Sequence, residues 1–460
     1  MLFKQITHDD LGCASYLVGD EHAGVAAVVD PRLEIDEYLE LARYRGVRIE
    51  HILETHNHAD HVSGHGRLVA ATGAKIHVHR LAAPDYEHEP FDDGWELELG
   101  AILVRALHTP GHRPEHTAFA LIDTARGAEP WAVLSGDSLF VGDTARSDLA
   151  IEKTQGAREI FRSLHAKLLS LPDDCEVWPS HLGGSMCGGA GLDLKVCSTI
   201  GYEKRHNHSL AIDDEDEFVA HALAGLGPQP PNFARIVEIN RGRLLTTQGQ
   251  APALYSHQVL ARRDDGAQLF DVRTDLQFDE AHIEGSVSVP SFSPGFGTKL
   301  AWIADHDREI IFIGRDEADG QRATRLATAV GITNVAGVLA GGMTTWRQER
   351  QPVGQRERIT VEQLAELVAA DDSLQVLDVR EEGEFDAGHI PGSLSLPWHD
   401  IDSLPAGVDA ERPIATICAG GVRAGTAASL LALHGATRVL HVVDGGVLRW
   451  GEIGRELVCA

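Results

Sequence analysis

The chain is poor in positive charge and has no long apolar run. Its 460 residues contain 40 lysines and arginines against 69 aspartates and glutamates, which gives a formal net charge of −29 at pH 7. Such a charge repels phosphate backbones and anionic lipid, so we expect neither nucleic acid nor a membrane as a partner. No stretch is apolar enough to cross a bilayer, and the first residues lack the apolar core of a secretory signal. These absences predict a cytoplasmic protein.

Cysteine is also scarce, and no two cysteines form a Cys-x-x-Cys pair. The six cysteines are Cys13, Cys175, Cys187, Cys197, Cys418 and Cys459. Such scattered positions are typical of reduced thiols and not of a disulfide framework. The length is too great for one core and predicts about two to four domains.

The first half of the chain alternates short apolar runs with polar loops. The predicted strands are residues 25–29, 49–53, 75–78, 102–107, 117–122, 131–134 and 176–178. Helical patterns occupy residues 33–45 and 157–171. The segment 225–231, Gly-Leu-Gly-Pro-Gln-Pro-Pro, can continue neither a helix nor a strand and is predicted to be a linker. We therefore assign residues 1–249 to a first domain with its linker.

The second half contains an internal repeat. Leu-Phe-Asp-Val-Arg at 269–273 matches Val-Leu-Asp-Val-Arg at 376–380, and Gly-Gly-x-x-x-Trp occurs at 341–346 and again at 445–450. A spacing of about one hundred residues indicates duplicated domains and not a solenoid. Each copy alternates helical and strand patterns, which predicts a parallel α/β sheet. We place these domains at 250–352 and 353–460, so the fold class is α/β multidomain.

Candidate metal ligands follow the predicted strands of the first domain. Residues 55–61, Thr-His-Asn-His-Ala-Asp-His, place three histidines and an aspartate within seven residues. The candidates in chain order are His56, His58, Asp60, His61, His112, Asp137 and His181. Ligands placed just past strands have a rigid base, which a metal site needs.

This ordered set resembles the metallo-β-lactamase superfamily, and the resemblance implies an αββα sandwich. Val-Ser-Gly at 62–64, Val-Gly-Asp at 141–143 and Ser-Thr-Ile-Gly-Tyr-Glu at 198–203 resemble the persulfide dioxygenase branch, especially the form fused to rhodanese domains. That branch implies one Fe(II) per chain. Its three ligands, carried over to this sequence, are His56, His112 and Asp137.

The other candidates of the metal cluster then have two alternative roles. His58, Asp60, His61 and His181 would orient the iron ligands or steer protons. Alternatively they hold a second metal, because members that hydrolyse thioesters or lactams bind two zincs with the whole set. The sequence leaves both alternatives open.

Three further residues are candidates for substrate binding. Arg146 matches the family's basic residue near the thiol substrate, and its alternative role is a salt bridge with Asp143 or Asp148. Cys187 lies in a glycine-rich segment and would relay or bind sulfur, although a buried structural thiol is equally consistent. Tyr202 would replace a tyrosine that standalone members place two residues after the equivalent of His181, where this chain has Gly183.

The repeats resemble rhodanese domains through Asp-Val-Arg, Gly-His-Ile-Pro-Gly-Ser and the late Gly-Gly…Trp. In that family a cysteine opens a six-residue loop whose backbone N–H groups stabilise a thiolate and then a persulfide. Residues 418–423, Cys-Ala-Gly-Gly-Val-Arg, fit this loop, with Cys418 as nucleophile and Arg423 holding an anionic donor such as thiosulfate. The first repeat has Gly314 at the equivalent position and no cysteine, so we expect a structural or docking domain.

The resemblance as a whole implies oxidation of a low-molecular-weight persulfide by O₂ to sulfite and free thiol. The rhodanese part would move sulfur between thiosulfate or sulfite and the thiol. Two alternatives are a di-zinc thioester hydrolase with an accessory rhodanese module, and a sulfur-carrier or persulfide-sensing binding module. We expect a homodimer, because dimers are usual among such proteins.

Overall fold

The computed structural model describes residues 1–8, 10–183, 191–247 and 249–459. The chain divides into two compact units, one of residues 1–248 with 328–331 and the other of residues 249–327 with 332–460. Within the described ranges, every helix is too short or too polar to cross a membrane. The described cysteines are all free, as predicted.

Two six-stranded mixed sheets form the centre of the first unit, and in each the spatial order follows the chain. The first sheet contains β1 (Leu2–His8), β2 (Cys13–Asp20), β3 (Val25–Val29), β4 (Arg48–Leu53), β5 (Lys75–His79) and β6 (Glu89–Phe91). The second contains β7 (Glu96–Leu99), β8 (Ile102–His108), β9 (Thr117–Asp123), β10 (Ala132–Gly136), β11 (Glu176–Pro179) and β12 (Ser198–Thr199). All seven predicted strands are present, and β1, β2, β6, β7 and β12 were not predicted.

The sheets pack face to face and helices cover their outer faces. Successive side chains of a strand point to opposite faces. Tyr16 and Val18 of β2 therefore pack between the sheets with Phe119, whereas Leu17 joins the core under the helices. The helices of this unit are α1 (Asp36–Arg45), α2 (His65–Thr72), α3 (Lys153–Ser163), α4 (Ile200–His206), α5 (Glu215–Ala224) and α6 (Phe233–Arg241). Helices α1 and α2 pack on the first sheet, and α3, α4 and α5 pack on the second, so the αββα prediction is confirmed.

The second unit contains two five-stranded parallel sheets with the same connectivity. In spatial order the first is β13 (Ala253–Leu254), β17 (Val335–Leu339), β16 (Ile310–Ile313), β14 (Gln268–Asp271) and β15 (Ser286–Ser288). The second is β18 (Glu357–Thr360), β22 (Val439–Val443), β21 (Ile414–Ile417), β19 (Gln375–Asp378) and β20 (Leu394–Ser395). The predicted parallel α/β repeat is confirmed, whereas its boundaries at 250–352 and 353–460 stay predictions.

Nine helices accompany these sheets in the part of the second unit that the structure describes. The helices of the first repeat are α7 (Ser256–Asp264), α8 (Asp275–Glu280), α9 (Phe296–Ile303), α10 (Glu317–Ala329) and α11 (Gly342–Gln348). Those of the second repeat are α12 (Val361–Ala370), α13 (Glu382–Ala387), α14 (Val422–Leu433) and α15 (Gly446–Glu452). Helix α14 directly follows the segment that opens with Cys418.

The repeated Asp-Val-Arg motif has a structural role in both copies. Arg273 pairs with Asp271 at 2.6 Å and donates to the carbonyl of Ala281 at 2.7 Å. In the second copy Arg380 pairs with Asp378 at 2.7 Å and donates to a loop carbonyl at 2.8 Å. Since both pairs are buried, they hold the loop after the central strand in each domain.

Candidate functional site

Three buried side chains of the first unit converge on one point. His56 follows β4, His112 follows β8, and Asp137 comes directly after β10. Nε2 of His56 lies 3.9 Å from Oδ2 of Asp137, and Nε2 of His112 lies 3.3 Å from the same oxygen. One ligand atom of each residue lies within 4.8 Å of the other two, so the three together can hold a metal ion.

The converging atoms have no hydrogen-bond partner among the described residues, while the opposite atoms of the same side chains do. Nδ1 of His56 donates to Oγ1 of Thr55 at 2.9 Å, because that hydroxyl donates to Asp30. Nδ1 of His112 donates to the carbonyl of Arg146 at 2.9 Å. Each Nε2 therefore carries a lone pair. Two imidazoles and one carboxylate can bind a single divalent cation and leave its other coordination positions open. This donor set fits Fe(II).

The ionisation states of the three side chains suit metal binding. Burial lowers the pKa of His56 well below its usual range and also lowers the pKa of His112, so both rings are neutral at neutral pH. Burial acts to raise the pKa of Asp137, but the charge and hydrogen bond of His181 outweigh it and bring the pKa to about 2. Asp137 is therefore the anionic member of the three candidate ligands.

A chain of hydrogen bonds runs from Asp137 to His61. Nδ1 of His181 donates to Oδ1 of Asp137 at 2.7 Å, and Nε2 of His181 donates to Oδ2 of Asp60 at 2.9 Å. Nδ1 of His61 lies 3.0 Å from the same oxygen of Asp60. Asp60 and His61 also form a second group with Cys13 that could hold a metal. The structure thus places His181 beside Asp137 and leaves Asp60 and His61 available to a second cation.

His58 lies in a different buried group. Its Nε2 is 3.2 Å from Oδ1 of Asp30 and 3.4 Å from Oε2 of Glu54. Burial acts to lower the pKa of His58, but the two carboxylates raise it well above its usual range. Nε2 of His58 therefore faces Asp30 and Glu54, and not the converging atoms of His56, His112 and Asp137. Sequence reasoning missed both acids, although Asp30 comes directly after the predicted strand at residues 25–29.

His116 was also missed, and it supports the backbone of Asp137. The N–H of Asp137 donates to Nε2 of His116 at 2.8 Å, and Nδ1 of His116 donates to the carbonyl of Thr109 at 3.0 Å. Burial lowers the pKa of His116 to about 3. Gly136 has φ +56°, and a Cβ there would lie 2.5 Å from Nε2 of His116. The glycine before Asp137 was the available signal, because the close approach of His116 excludes a side chain.

Two of the predicted substrate-binding residues, Arg146 and Tyr202, are not part of the converging group. Arg146 forms a two-point ion pair with Asp148 at 2.7 and 2.9 Å and donates to Gly227. Tyr202 is 40% exposed, and its hydroxyl accepts from Lys195 at 3.4 Å. Cys187 lies outside the described residues. The substrate roles of all three stay predictions.

Cys418 of the second repeat lies in a loop between β21 and α14. Its side chain is 2% exposed, and the N–H of Gly421 donates to Sγ of Cys418 at 3.1 Å. Gly446 has φ +55°, and a Cβ there would overlap the carbonyl oxygen of Cys418, which accepts from Val447 at 3.0 Å. The late Gly-Gly pair therefore packs directly on this loop.

Arg423 forms a two-point ion pair with Glu384 at 2.6 and 2.9 Å, which raises the pKa of the guanidinium. In the first repeat Met343 donates to the carbonyl of Gly314 at 2.9 Å, as Val447 does to Cys418. Gly314 thus occupies the position of the cysteine. The role of Arg423 in binding an anionic donor stays a prediction.

Comparisons with known proteins agree with this architecture. The model of the metallo-beta-lactamase superfamily matches residues 8–181, and that of the rhodanese-like domain matches residues 256–349 and 360–453. A probable metallo-hydrolase of Burkholderia pseudomallei is 32% identical over 246 residues, which are 46% of this chain and 81% of that protein. The human mitochondrial persulfide dioxygenase is 30% identical over 170 residues, 36% of this chain and 63% of that protein.

A solved structure extends the likeness beyond the first unit. The crystal structure of a metallo-beta-lactamase from Staphylococcus aureus has a TM-score of 0.66 and 30% identity, and the match covers 74% of this chain and 98% of that one. The family models together give the combination of modules in this chain. The chain belongs to the metallo-β-lactamase superfamily, with two rhodanese-like domains after its metallo-β-lactamase domain.

Proposed function

We propose that the first unit oxidises a low-molecular-weight persulfide with O₂ at one Fe(II), and that Cys418 transfers sulfane sulfur. The observation that carries the proposal is the set of three unpartnered atoms from His56, His112 and Asp137, with His58 directed elsewhere. A mononuclear site of two imidazoles and one carboxylate is typical of iron oxygenases. Likeness to a persulfide dioxygenase supports persulfide as the substrate.

The proposed oxidation balances without a further reactant. The persulfide, O₂ and water give the free thiol, sulfite and two protons, and the bond between the two sulfur atoms breaks. Fe(II) at this site would supply the electron transfer that lets O₂ react with sulfur. Asp137 stays ionised, and His181 holds its Oδ1 so that Oδ2 faces the metal position. The hydrogen-bonded chain through Asp60 to His61 offers a route for the released protons.

The proposed transfer step uses the loop of Cys418. Its thiolate attacks the outer sulfur of thiosulfate, the bond between the two sulfur atoms of thiosulfate breaks, and sulfite leaves. The resulting persulfide passes its outer sulfur to a thiol, or the reverse sequence makes thiosulfate from sulfite. The N–H of Gly421 stabilises the anionic sulfur. Because both reactions share sulfite and the thiol persulfide, joining them in one chain raises the effective concentration of a common intermediate.

The second candidate is a di-zinc thioester hydrolase. The group of Cys13, Asp60 and His61 favours it, because it provides three ligand atoms for a second metal. The relative described as a probable metallo-hydrolase also favours it. In this alternative the rhodanese-like domains are accessory.

Oxygen consumption separates the two candidates. Protein loaded anaerobically with Fe(II) is mixed with glutathione persulfide, and O₂ and sulfite are measured together. We expect one O₂ consumed for each sulfite formed, with no consumption when oxidised or reduced glutathione replaces the persulfide. Absence of O₂ uptake, together with zinc-dependent hydrolysis of S-lactoylglutathione, would contradict the proposal and support the hydrolase.

A further inference from the structure

A buried histidine connects the two rhodanese-like domains behind the cysteine loop. His441, in β22, is 0% exposed. Its Nε2 donates to the carbonyl of Gly421 at 2.8 Å, and its Nδ1 donates to Oδ2 of Asp279 at 2.7 Å. Gly421 belongs to the loop of Cys418, whereas Asp279 lies on α8 of the repeat that has no cysteine. One side chain therefore joins the first repeat to the reactive loop of the second.

Both partners of His441 are hydrogen-bond acceptors. One is a backbone carbonyl oxygen and the other is a carboxylate, so each ring nitrogen faces an acceptor. Asp279 also faces Arg356 at 3.6 Å and Arg358 at 3.5 Å. Each donor on His441 is thus committed to one acceptor, which fixes the orientation of the ring.

Helix α14, which follows the loop of Cys418, has further contacts with the first repeat and with the segment that precedes β18. Thr426 of α14 donates to the carbonyl of Ser288 at 2.8 Å, and the N–H of Ser288 donates to Ser429 at 3.0 Å. Arg356, which precedes β18, donates to the carbonyl of Gly425 at 3.0 Å. These bonds hold the helix, but His441 is the contact that reaches the loop itself.

Gly421 needs such a restraint. It has φ +102°, and with Gly420 it forms a pair of residues without Cβ, which leaves the backbone unusually free. Its N–H faces Sγ of Cys418, and its carbonyl accepts both from Gly425 and from His441. If the carbonyl were released, the loop would sample conformations in which the N–H no longer faces the sulfur.

We propose that His441 and Asp279 are positioning residues for sulfur transfer. The first repeat supplies Asp279, Asp279 orients His441, and His441 fixes the carbonyl of Gly421 so that its N–H faces Cys418. This inference rests on the proposed sulfur transfer through Cys418. It gives the repeat without a cysteine a role in the reaction of its neighbour.

Two substitutions at His441 separate positioning from simple packing. The amide nitrogen of glutamine occupies the place of Nε2, whereas that of asparagine occupies the place of Nδ1. His441→Gln should keep the bond to Gly421 and retain kcat for thiosulfate–cyanide sulfur transfer within about threefold. His441→Asn should keep the bond to Asp279 but lower kcat about tenfold or more, with a small change in the KM for thiosulfate.

Alkylation of Cys418 is the second readout, because it requires no sulfur donor. Its rate with iodoacetamide, followed by mass spectrometry of the Cys418 peptide, should fall in His441→Asn and stay near wild type in His441→Gln. Equal kcat and equal alkylation rates in the two variants would overturn the inference. Wild-type protein that accepts no sulfur from thiosulfate would instead contradict the proposed function of Cys418, and the alkylation series would still test His441.

Thr426→Val is the matched control, since it removes a bond between the repeats without contacting Gly421. It should lower Tm and leave kcat unchanged; a fall in kcat as large as that of His441→Asn would overturn the inference. Asp279→Ala should lower kcat by up to about threefold, as in His441→Gln, which also loses this bond, and Asp279→Asn should restore most of it because an amide oxygen still accepts from Nδ1. An unchanged kcat in folded Asp279→Ala would exclude a role for Asp279. If Asp279→Ala does not fold, the comparison of His441→Gln with His441→Asn still tests the proposal.

Discussion

At the scale of single residues, the metal site is defined by which atom of each ligand is already engaged. Thr55 and the carbonyl of Arg146 each accept from Nδ1 of a histidine, which leaves both Nε2 atoms free to bind a cation. His181 occupies one oxygen of Asp137 and leaves the other. The neighbours of the ligands therefore determine the geometry of the donor set as much as the ligands do.

Asp137 is the anionic member of the proposed ligand set, so its removal should have the largest effect. We expect Asp137→Ala to lose bound iron and O₂ uptake, measured by metal analysis and with an oxygen electrode. His108→Ala is the matched control. His108 ends β8, in the same sheet as β10, but it contacts His79 and Pro114 and not the three candidate ligands. Full iron and full rate in Asp137→Ala would show that the ligand assignment is wrong.

Arg146 has two possible roles that a pair of variants can separate. If Arg146 binds an anionic persulfide, Arg146→Ala should raise KM about tenfold with unchanged iron content, because the carbonyl that holds His112 belongs to the backbone. Asp148→Asn breaks the ion pair but keeps the guanidinium, so KM should not rise. Similar kinetics in both variants would mean that Arg146 serves only to pair with Asp148.

At the scale of secondary-structure elements, the sequence was informative where strands have regular apolar patterns. The strands that precede His56 and Asp137 were predicted, and so these candidate residues could be placed near strand ends. Strand β2 was missed because it is buried on both faces and contains cysteine, alanine and glycine, which leaves no alternation to detect. His58 was expected beside the metal ligands, and its partners Asp30 and Glu54 could not be assigned from local sequence.

Contacts between distant segments set the limit of sequence reasoning. Asp279 and His441 are 162 positions apart, and each belongs to an ordinary helix or strand pattern. Nothing in either pattern indicates that the two side chains meet. The Asp-Val-Arg and Gly-Gly motifs, by contrast, could be recognised from the sequence because each occurs in both repeats.

The Gly-Gly turn of the second repeat offers a test of loop packing. Gly446→Ala should lower the free energy of unfolding by about 3 kcal/mol, since the added methyl overlaps the carbonyl of Cys418 and the φ is positive. Gly435→Ala is the control: it also has positive φ, +99°, but nothing lies within 4 Å of the added carbon. That variant should lose only about 1 kcal/mol. Denaturant unfolding measures both, and equal losses would contradict the packing role.

At the scale of the whole molecule, the chain carries two candidate reactive centres in two separate compact units. The converging ligands of His56, His112 and Asp137 lie in the first unit, and Cys418 lies in the second. No described residue is shared between the centres. Each should therefore respond independently to substitution of the other.

Substitution of Cys418 tests this independence. Cys418→Ser should abolish sulfur transfer from thiosulfate, because a hydroxyl does not form a persulfide, and should leave persulfide-dependent O₂ uptake nearly intact. Cys459→Ser, which changes an exposed thiol of the same repeat, should affect neither activity. After treatment with thiosulfate, mass spectrometry should find the added sulfur on Cys418. Added sulfur found only on Cys187 would show that the sulfur carrier lies in the first unit.

The metal content of the purified protein tests the central claim most directly. The proposed mononuclear site of His56, His112 and Asp137 predicts one iron per chain after anaerobic purification, with O₂ consumption proportional to iron content. Zinc-loaded protein should consume no O₂. Two zinc ions per chain, with thioester hydrolysis and no O₂ consumption after iron loading, would contradict the account.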